Sequence, residues 1–136
     1  MVRSKWFLTV LVVLASATVG CGSSDRPADG GAVTTAQRFA QAVGNDDHSR
    51  ACSLLAPTTR KQLEQAAGAP CPTALAEEEL AVAGGYADIA VFGTMAQVRF
   101  SEDTVFVTKF ARGWKVLAAG CAPVPGAPYD CRLQGG

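Results

Sequence analysis

Apolar positions along the chain fall into three regimes. Residues 6–13, from Trp6 to Val13, form a nearly unbroken apolar run. Between Thr34 and Ala83 apolar residues recur at three- and four-residue intervals. From Ile89 to Ala119 they alternate with polar residues or form short β-branched and aromatic blocks.

The middle regime predicts four helices. Ala36, Phe39, Ala40 and Val43 share one face of a helix capped by Thr34 or Thr35 and ended by Gly44. Asn45-Asp46-Asp47 supplies the next cap, for a helix with Ala51, Leu54 and Leu55 on its apolar face, which Pro57 breaks. Thr59 and Gln62 have capping-box spacing and predict a third helix through Leu63 and Ala66. Gly68 to Pro72 reads as a turn. Thr73 then starts a fourth helix through Leu75, Leu80 and Ala83, with Glu77-Glu78-Glu79 as a solvated face.

Past Gly84-Gly85 the period shortens. Ile89 to Phe92 is a short strand. Ala96, Val98 and Phe100 alternate with Gln97, Arg99 and Ser101, the pattern of a half-buried strand. Val105 to Phe110 and Trp114 to Ala119 are further strands, separated by the turns 101–104 and 111–113. Helices first and an antiparallel meander after them predict an α+β domain over residues 34–136, its helices packed on one face of the sheet.

The first regime has another meaning. Arg3 and Lys5, the apolar run and the small residues after it are the three parts of a secretory signal over residues 1–20. A spanning helix needs roughly 20 mostly apolar residues, and this run is shorter. Two processing sites compete. Ala15-Ser16-Ala17 is an ordinary A-x-A site, whereas Thr18-Val19-Gly20-Cys21 resembles a bacterial lipobox, with Thr18 where leucine is usual. The five cysteines favour the lipobox: an odd thiol is a liability in an oxidising compartment, and lipid on Cys21 leaves an even four. A diacylglyceryl thioether on Cys21 would anchor the chain, since stable anchoring takes more than one acyl chain. The Gly- and Ser-rich stretch that follows reads as a flexible tether over residues 21–33. The expected location is the outer face of the cytoplasmic membrane, with the membrane itself as one partner.

Charge narrows the partners further. The whole chain holds 12 basic and 12 acidic residues. Two of the basic ones lie in the leader, so the remainder is slightly acidic. Nucleic acid is not expected as a partner, because its phosphates demand a surplus of cations.

The run Ala51-Cys52-Ser53-Leu54-Leu55-Ala56-Pro57, followed by Ala69-Pro70-Cys71, resembles secreted lipoproteins of actinobacteria. So does the ending with Trp114-Lys115-Val116, Gly120-Cys121 and Pro128-Tyr129-Asp130-Cys131. The likeness covers most of the chain beyond the leader, and cysteine placement is its most specific part. It implies a cone-shaped, nuclear transport factor two-like fold, in which helices close over a curved antiparallel sheet. That fold hosts isomerases, dehydratases, binding modules and scaffolds, so it implies no single function. It implies Cys21 as the anchor and Cys52, Cys71, Cys121 and Cys131 as disulfides. Four cysteines allow three pairings. Cys52–Cys71 with Cys121–Cys131, which closes two short independent loops, is the expected one.

Candidate chemistry is sparse. There is no C-x-x-C, one histidine, and no phosphate-binding glycine motif, so no metal or cofactor is expected. His48 follows two aspartates and reads as a polar residue in a first helical turn. G-x-S-x-G is missing. An enzyme of this fold would place its acid or base inside the cone, where Asp88, Glu102, Asp103 and Tyr86 are the candidates. Asp88 begins a strand and is the one most able to face inward. Val98, Phe100, Phe106, Phe110, Trp114 and Val116 are expected to face inward as core, with Val98, Phe100, Phe106, Phe110 and Trp114 as candidate pocket lining. The leading expectation is a non-catalytic envelope module that binds a small apolar ligand or a protein. The alternative is a small pocket enzyme for proton transfer or hydrolysis.

Overall fold

The computed structural model describes residues 27–136. The signal segment, Cys21 and the first part of the tether lie outside the described residues. Four helices precede five strands: α1 Pro27–Gly44, α2 His48–Leu54, α3 Pro57–Ala67, α4 Cys71–Glu77, then β1 Tyr86–Phe92, β2 Met95–Phe100, β3 Thr104–Phe110, β4 Gly113–Val124 and β5 Ala127–Gln134. The strands form one antiparallel sheet in sequence order, β1-β2-β3-β4-β5. The predicted α+β class with helices on a sheet therefore holds.

The core lies between α1 and the sheet. Ala32, Ala36 and Phe39 of α1 pack with Val98 of β2, Val105 and Val107 of β3, and Val116 of β4, all essentially without exposure. These positions alternate along each strand, so each strand contributes one apolar side to the interface. The helix α1 crosses the sheet from β4 towards β1. Its early turns lie against Trp114, at the start of β4, and its end meets Val82, just before β1.

Several element boundaries differ from the sequence reading. Residues 27–33 are helical rather than tether, and Ala32 is fully buried. Thr34 and Thr35 thus lie inside α1, and the Thr35 hydroxyl reaches the Trp114 carbonyl at 3.5 Å. Pro57 starts α3 instead of breaking the preceding helix, because a first-turn proline loses no intrahelical bond. Thr59 caps nothing; its hydroxyl donates to the Leu117 carbonyl at 2.8 Å and fastens α3 to β4. α4 ends at Glu77, leaving Leu80 and Ala83 in the link to β1. Three successive carboxylates at a helix C-terminus oppose the macrodipole, which accounts for the early stop.

β4 is longer than expected and bulged against β3. Phe106 pairs with Ala118, but the next residue, Val107, pairs with Val116. The extra residue puts Leu117 and Ala118 on the same outer side, while Trp114, Val116 and Ala119 face the core. β5 occupies the tail that the prolines disguised. It is an edge strand, where Pro128 can be accommodated without costing a ladder bond.

Both expected disulfides are present. Cys52–Cys71 joins α2 to the first residue of α4, with Cα atoms 6.1 Å apart. Cys121–Cys131 joins residues directly opposite on β4 and β5. Two crosslinks in so small a domain fit an oxidising, extracytoplasmic compartment. Among the described residues no helix is long and apolar enough to cross a membrane.

Candidate functional site

The space between α1 and the sheet is filled. Val98 and Trp114 face inward but belong to the core. Phe106 and Phe110 do not face inward. On β3 the inward positions are Val105 and Val107, so the even-numbered residues point to the other side. Phe106 meets Tyr129 edge-on at 5.2 Å between ring centres, in a shallow outer depression that also takes in Met95 and Leu117. Phe110 is 43% exposed. Counting strand parity from Phe106 or Phe110 selects the wrong face; the fully β-branched pair Val105 and Val107 was the better guide.

A large open concavity lies beside α1 instead. It is an open groove of about 570 Å³. One wall is the polar side of α1, with Thr34, Gln37, Arg38 and Gln41 at helical spacing, continued by Asn45 just beyond the helix end. The other wall is Val82 to Tyr86, and Phe100 contributes to the floor. Of the expected lining residues, Phe100 alone reaches this groove. Val82 is 67% and Tyr86 44% exposed, so the second wall presents apolar surface to water. Gly84 has φ +79 and approaches the Ser101 hydroxyl so closely that a Cβ would collide with it. The Gly85 N–H donates to that hydroxyl at 3.2 Å. These contacts fix the wall against the β2–β3 turn.

Arg38, Gln37 and Gln41 were missed as site residues. Their signal was present as the polar stripe of an amphipathic helix, but such a stripe ordinarily faces water alone. It becomes a groove wall only because the 82–86 segment folds back beside it, which no local pattern announces.

The titratable candidates are dispersed. Asp88 does not point inward: it faces outward across from Arg99, whose guanidinium pairs with both carboxylate oxygens. That bond holds the Asp88 carboxyl below its ordinary range. Glu102 is an exposed turn residue. Asp103 is partly buried, and its carboxylate accepts backbone N–H groups from Thr104 at 2.7 Å, Cys121 at 2.9 Å and Gly120 at 3.2 Å. Burial raises its carboxyl above the usual value, and the three donors only partly offset this. His48 is the first residue of α2, beside the cap Asp47, whose carboxylate accepts the Arg50 N–H at 3.1 Å. Tyr86 alone of these candidates lies in the groove. Among the described residues no group of three or more His, Cys, Asp or Glu side chains converges as a cation site.

The groove therefore offers one cation, several amide and hydroxyl groups, and an apolar strip. That set can hydrogen-bond and desolvate a ligand. An acid–base pair beside a nucleophile is not among its lining residues. No protein family, curated protein or solved structure matches the chain.

Proposed function

We propose that this chain is an envelope lipoprotein, anchored through Cys21 to the outer face of the cytoplasmic membrane, whose folded part is a binding module of the nuclear transport factor two-like kind. The α1 groove is its binding site, and its occupant is an extended polar segment of an envelope protein.

The observation that carries this reading is the composition of the groove walls. The amides of Gln37, Gln41 and Asn45 follow one another along one side, and they suit the donors and acceptors of a peptide backbone. Arg38 suits a carboxylate, and exposed Tyr86 and Val82 suit the apolar part of a side chain. A small apolar ligand, the other binding expectation, fits such walls less well, because it would leave the amides unpaired. The filled interior also favours surface binding over chemistry inside a cone.

Two experiments test the two halves. A photo-crosslinking amino acid at Gln41, in cells, should trap one defined envelope protein, and Arg38→Ala with Tyr86→Ala should abolish that adduct. The same probe at Lys61, on the exposed side of α3, should trap nothing comparable. Equal trapping at both positions rejects the groove as the site. For the anchor, the mass of the mature N-terminus should correspond to a lipid-bearing Cys21. A chain starting at Thr18 without lipid rejects the anchor and leaves the groove untouched.

A further inference from the structure

We infer that the end of the sheet formed by the β1–β2 and β3–β4 turns is a bilayer-contacting tip, with Phe92, Met95 and Phe110 entering the headgroup boundary and Lys109 and Arg112 meeting anionic headgroups. Its orientation rests on the reading of Cys21 as the lipid-bearing residue; its chemistry rests on the two turns themselves.

The two turns lie side by side. Met95 pairs with Phe92 across β1–β2 and with Thr108 across β2–β3, and the Lys109 N–H donates to the Thr94 carbonyl at 2.8 Å. Phe92 is 64%, Phe110 43% and Met95 38% exposed. Three large apolar side chains thus cluster at one end of a small domain without any described segment covering them. Scattered apolar exposure needs no explanation, but a cluster at a single tip marks a contact surface.

The tether arrives at that same end. A Cβ on Gly31 of α1 would lie 2.9 Å from Trp114 Cδ1. Trp114 is the second residue of β4, directly after the β3–β4 turn. The chain therefore enters the domain beside the tip. From Cys21 to Pro27 there are six residue steps. Even fully extended they span no more than ~20 Å, less than the width of a domain this size. Lipid on Cys21 keeps the tip, rather than the opposite end, close to the headgroups.

Charge selects the bilayer over an apolar protein surface as the occupant. Residues 91–95 and 109–115 hold three cations and no Asp or Glu, in a chain with no net charge. Lys109 and Arg112 are exposed, while Lys115 donates to the Ser53 carbonyl at 2.7 Å. Exposed aromatic and thioether groups ringed by cations are the chemistry of interfacial membrane contact. The acyl anchor provides attachment; the tip provides direction. It would hold the groove wall at Tyr86, at the other end of the strands, away from the membrane.

The test uses the mature chain purified from membranes and placed in vesicles of phosphatidylcholine with or without phosphatidylglycerol. Phe92→Trp and Phe110→Trp are read by emission and by quenching from brominated acyl chains. Val124→Trp, at the distal β4–β5 turn, is the control, and buried Trp114 gives a constant background. Both tip tryptophans should shift to the blue and lose most of their intensity, with the distal one unchanged. Lys109→Glu with Arg112→Glu should weaken quenching on anionic vesicles by roughly tenfold and leave it unaltered on neutral ones. A lipid-bearing N-terminus with equal quenching at both ends overturns the tip and spares the anchor. An unlipidated chain whose tip is still quenched on anionic vesicles overturns the anchor and spares the tip. Tip tryptophans unquenched in vesicles but crosslinked to a protein in cells overturn the tip in favour of a protein contact.

Discussion

Asp103 shows how a carboxylate in a turn can be structural rather than catalytic. Its backbone carbonyl accepts the Phe100 N–H at 2.8 Å, and its side chain accepts three further backbone donors, two of them from β4. It therefore ties the β2–β3 turn to the stretch of β4 where Gly120 adopts φ +65. Asp103→Ala should cost about 1–3 kcal/mol, the usual penalty for leaving partly buried donors unpaired. Asp103→Asn should cost less, because its amide oxygen still accepts. The same pair gives a pH test. The Asp103 carboxyl is raised in the folded state, so the native protein takes up this proton at a higher pH than the unfolded chain. Its contribution to stability accordingly falls as pH rises from the ordinary value of about 3.9 through the raised one, and returns on acidification. Asp88 behaves oppositely, since Arg99 lowers its carboxyl, but it is common to both proteins and cancels. Denaturant midpoints should thus show the wild type gaining on Asp103→Asn as pH falls through that window. A wild type that loses ground there would contradict the assignment.

At the scale of elements, the decisive segment is the start of α1. Residues 27–32 read as tether because their composition is Gly, Asp, Pro and Ala, with no apolar periodicity. At two of these positions only small residues fit: Ala32 is fully buried and Gly31 lies against the Trp114 ring. Close packing, not propensity, makes those residues helical, and a packing partner as far along the chain as Trp114 is invisible to a local reading. Two neighbouring glycines turn this into a measurement. A Cβ at Gly30 meets nothing, so Gly30→Ala should stabilise by up to about 1 kcal/mol through helix propensity. At Gly31 an added side chain meets Trp114 Cδ1 at 2.9 Å, and Gly31→Val should destabilise by about 1–3 kcal/mol. If both substitutions are neutral in thermal unfolding, the segment is not docked. Elsewhere legibility followed the same logic. The strands β2 and β3 were readable because each carries its own alternation. β5 was hidden by Pro125 and Pro128, which an edge strand and its turn tolerate. The disulfides were legible because cysteine number and spacing are explicit in the chain. The groove was not, since its second wall is a connection whose path depends on tertiary packing.

At the scale of the whole molecule, the two crosslinks never join the helical layer to the sheet. Cys52–Cys71 staples helix to helix, and Cys121–Cys131 staples strand to strand. No covalent bond joins the layers: side-chain packing and a few hydrogen bonds hold them, among them the one from the Ala56 N–H to the Val116 carbonyl at 2.7 Å, and Phe39 is the largest of the side chains fully buried between them. Removing its ring should cost about 3–5 kcal/mol, because the rigid sheet beneath cannot collapse into the void. Removing Cys52–Cys71, which closes a separation of 19 residues, should cost about 3 kcal/mol on chain-entropy grounds. The two losses act on different states: the cavity weakens the folded protein, whereas the missing crosslink frees the unfolded chain. Their effects should therefore add, to about 6–8 kcal/mol, within the 5–15 kcal/mol that holds most domains together. Phe39→Ala alone should unfold cooperatively at a lower denaturant midpoint. Cys52→Ser with Cys71→Ser should show a comparable drop. The triple variant should be largely unfolded without denaturant, as judged by the loss of near-ultraviolet dichroism from Trp114. A triple variant no less stable than Phe39→Ala would mean that the crosslink acts on the packed layers themselves, and that the helical layer and the sheet are coupled through it after all.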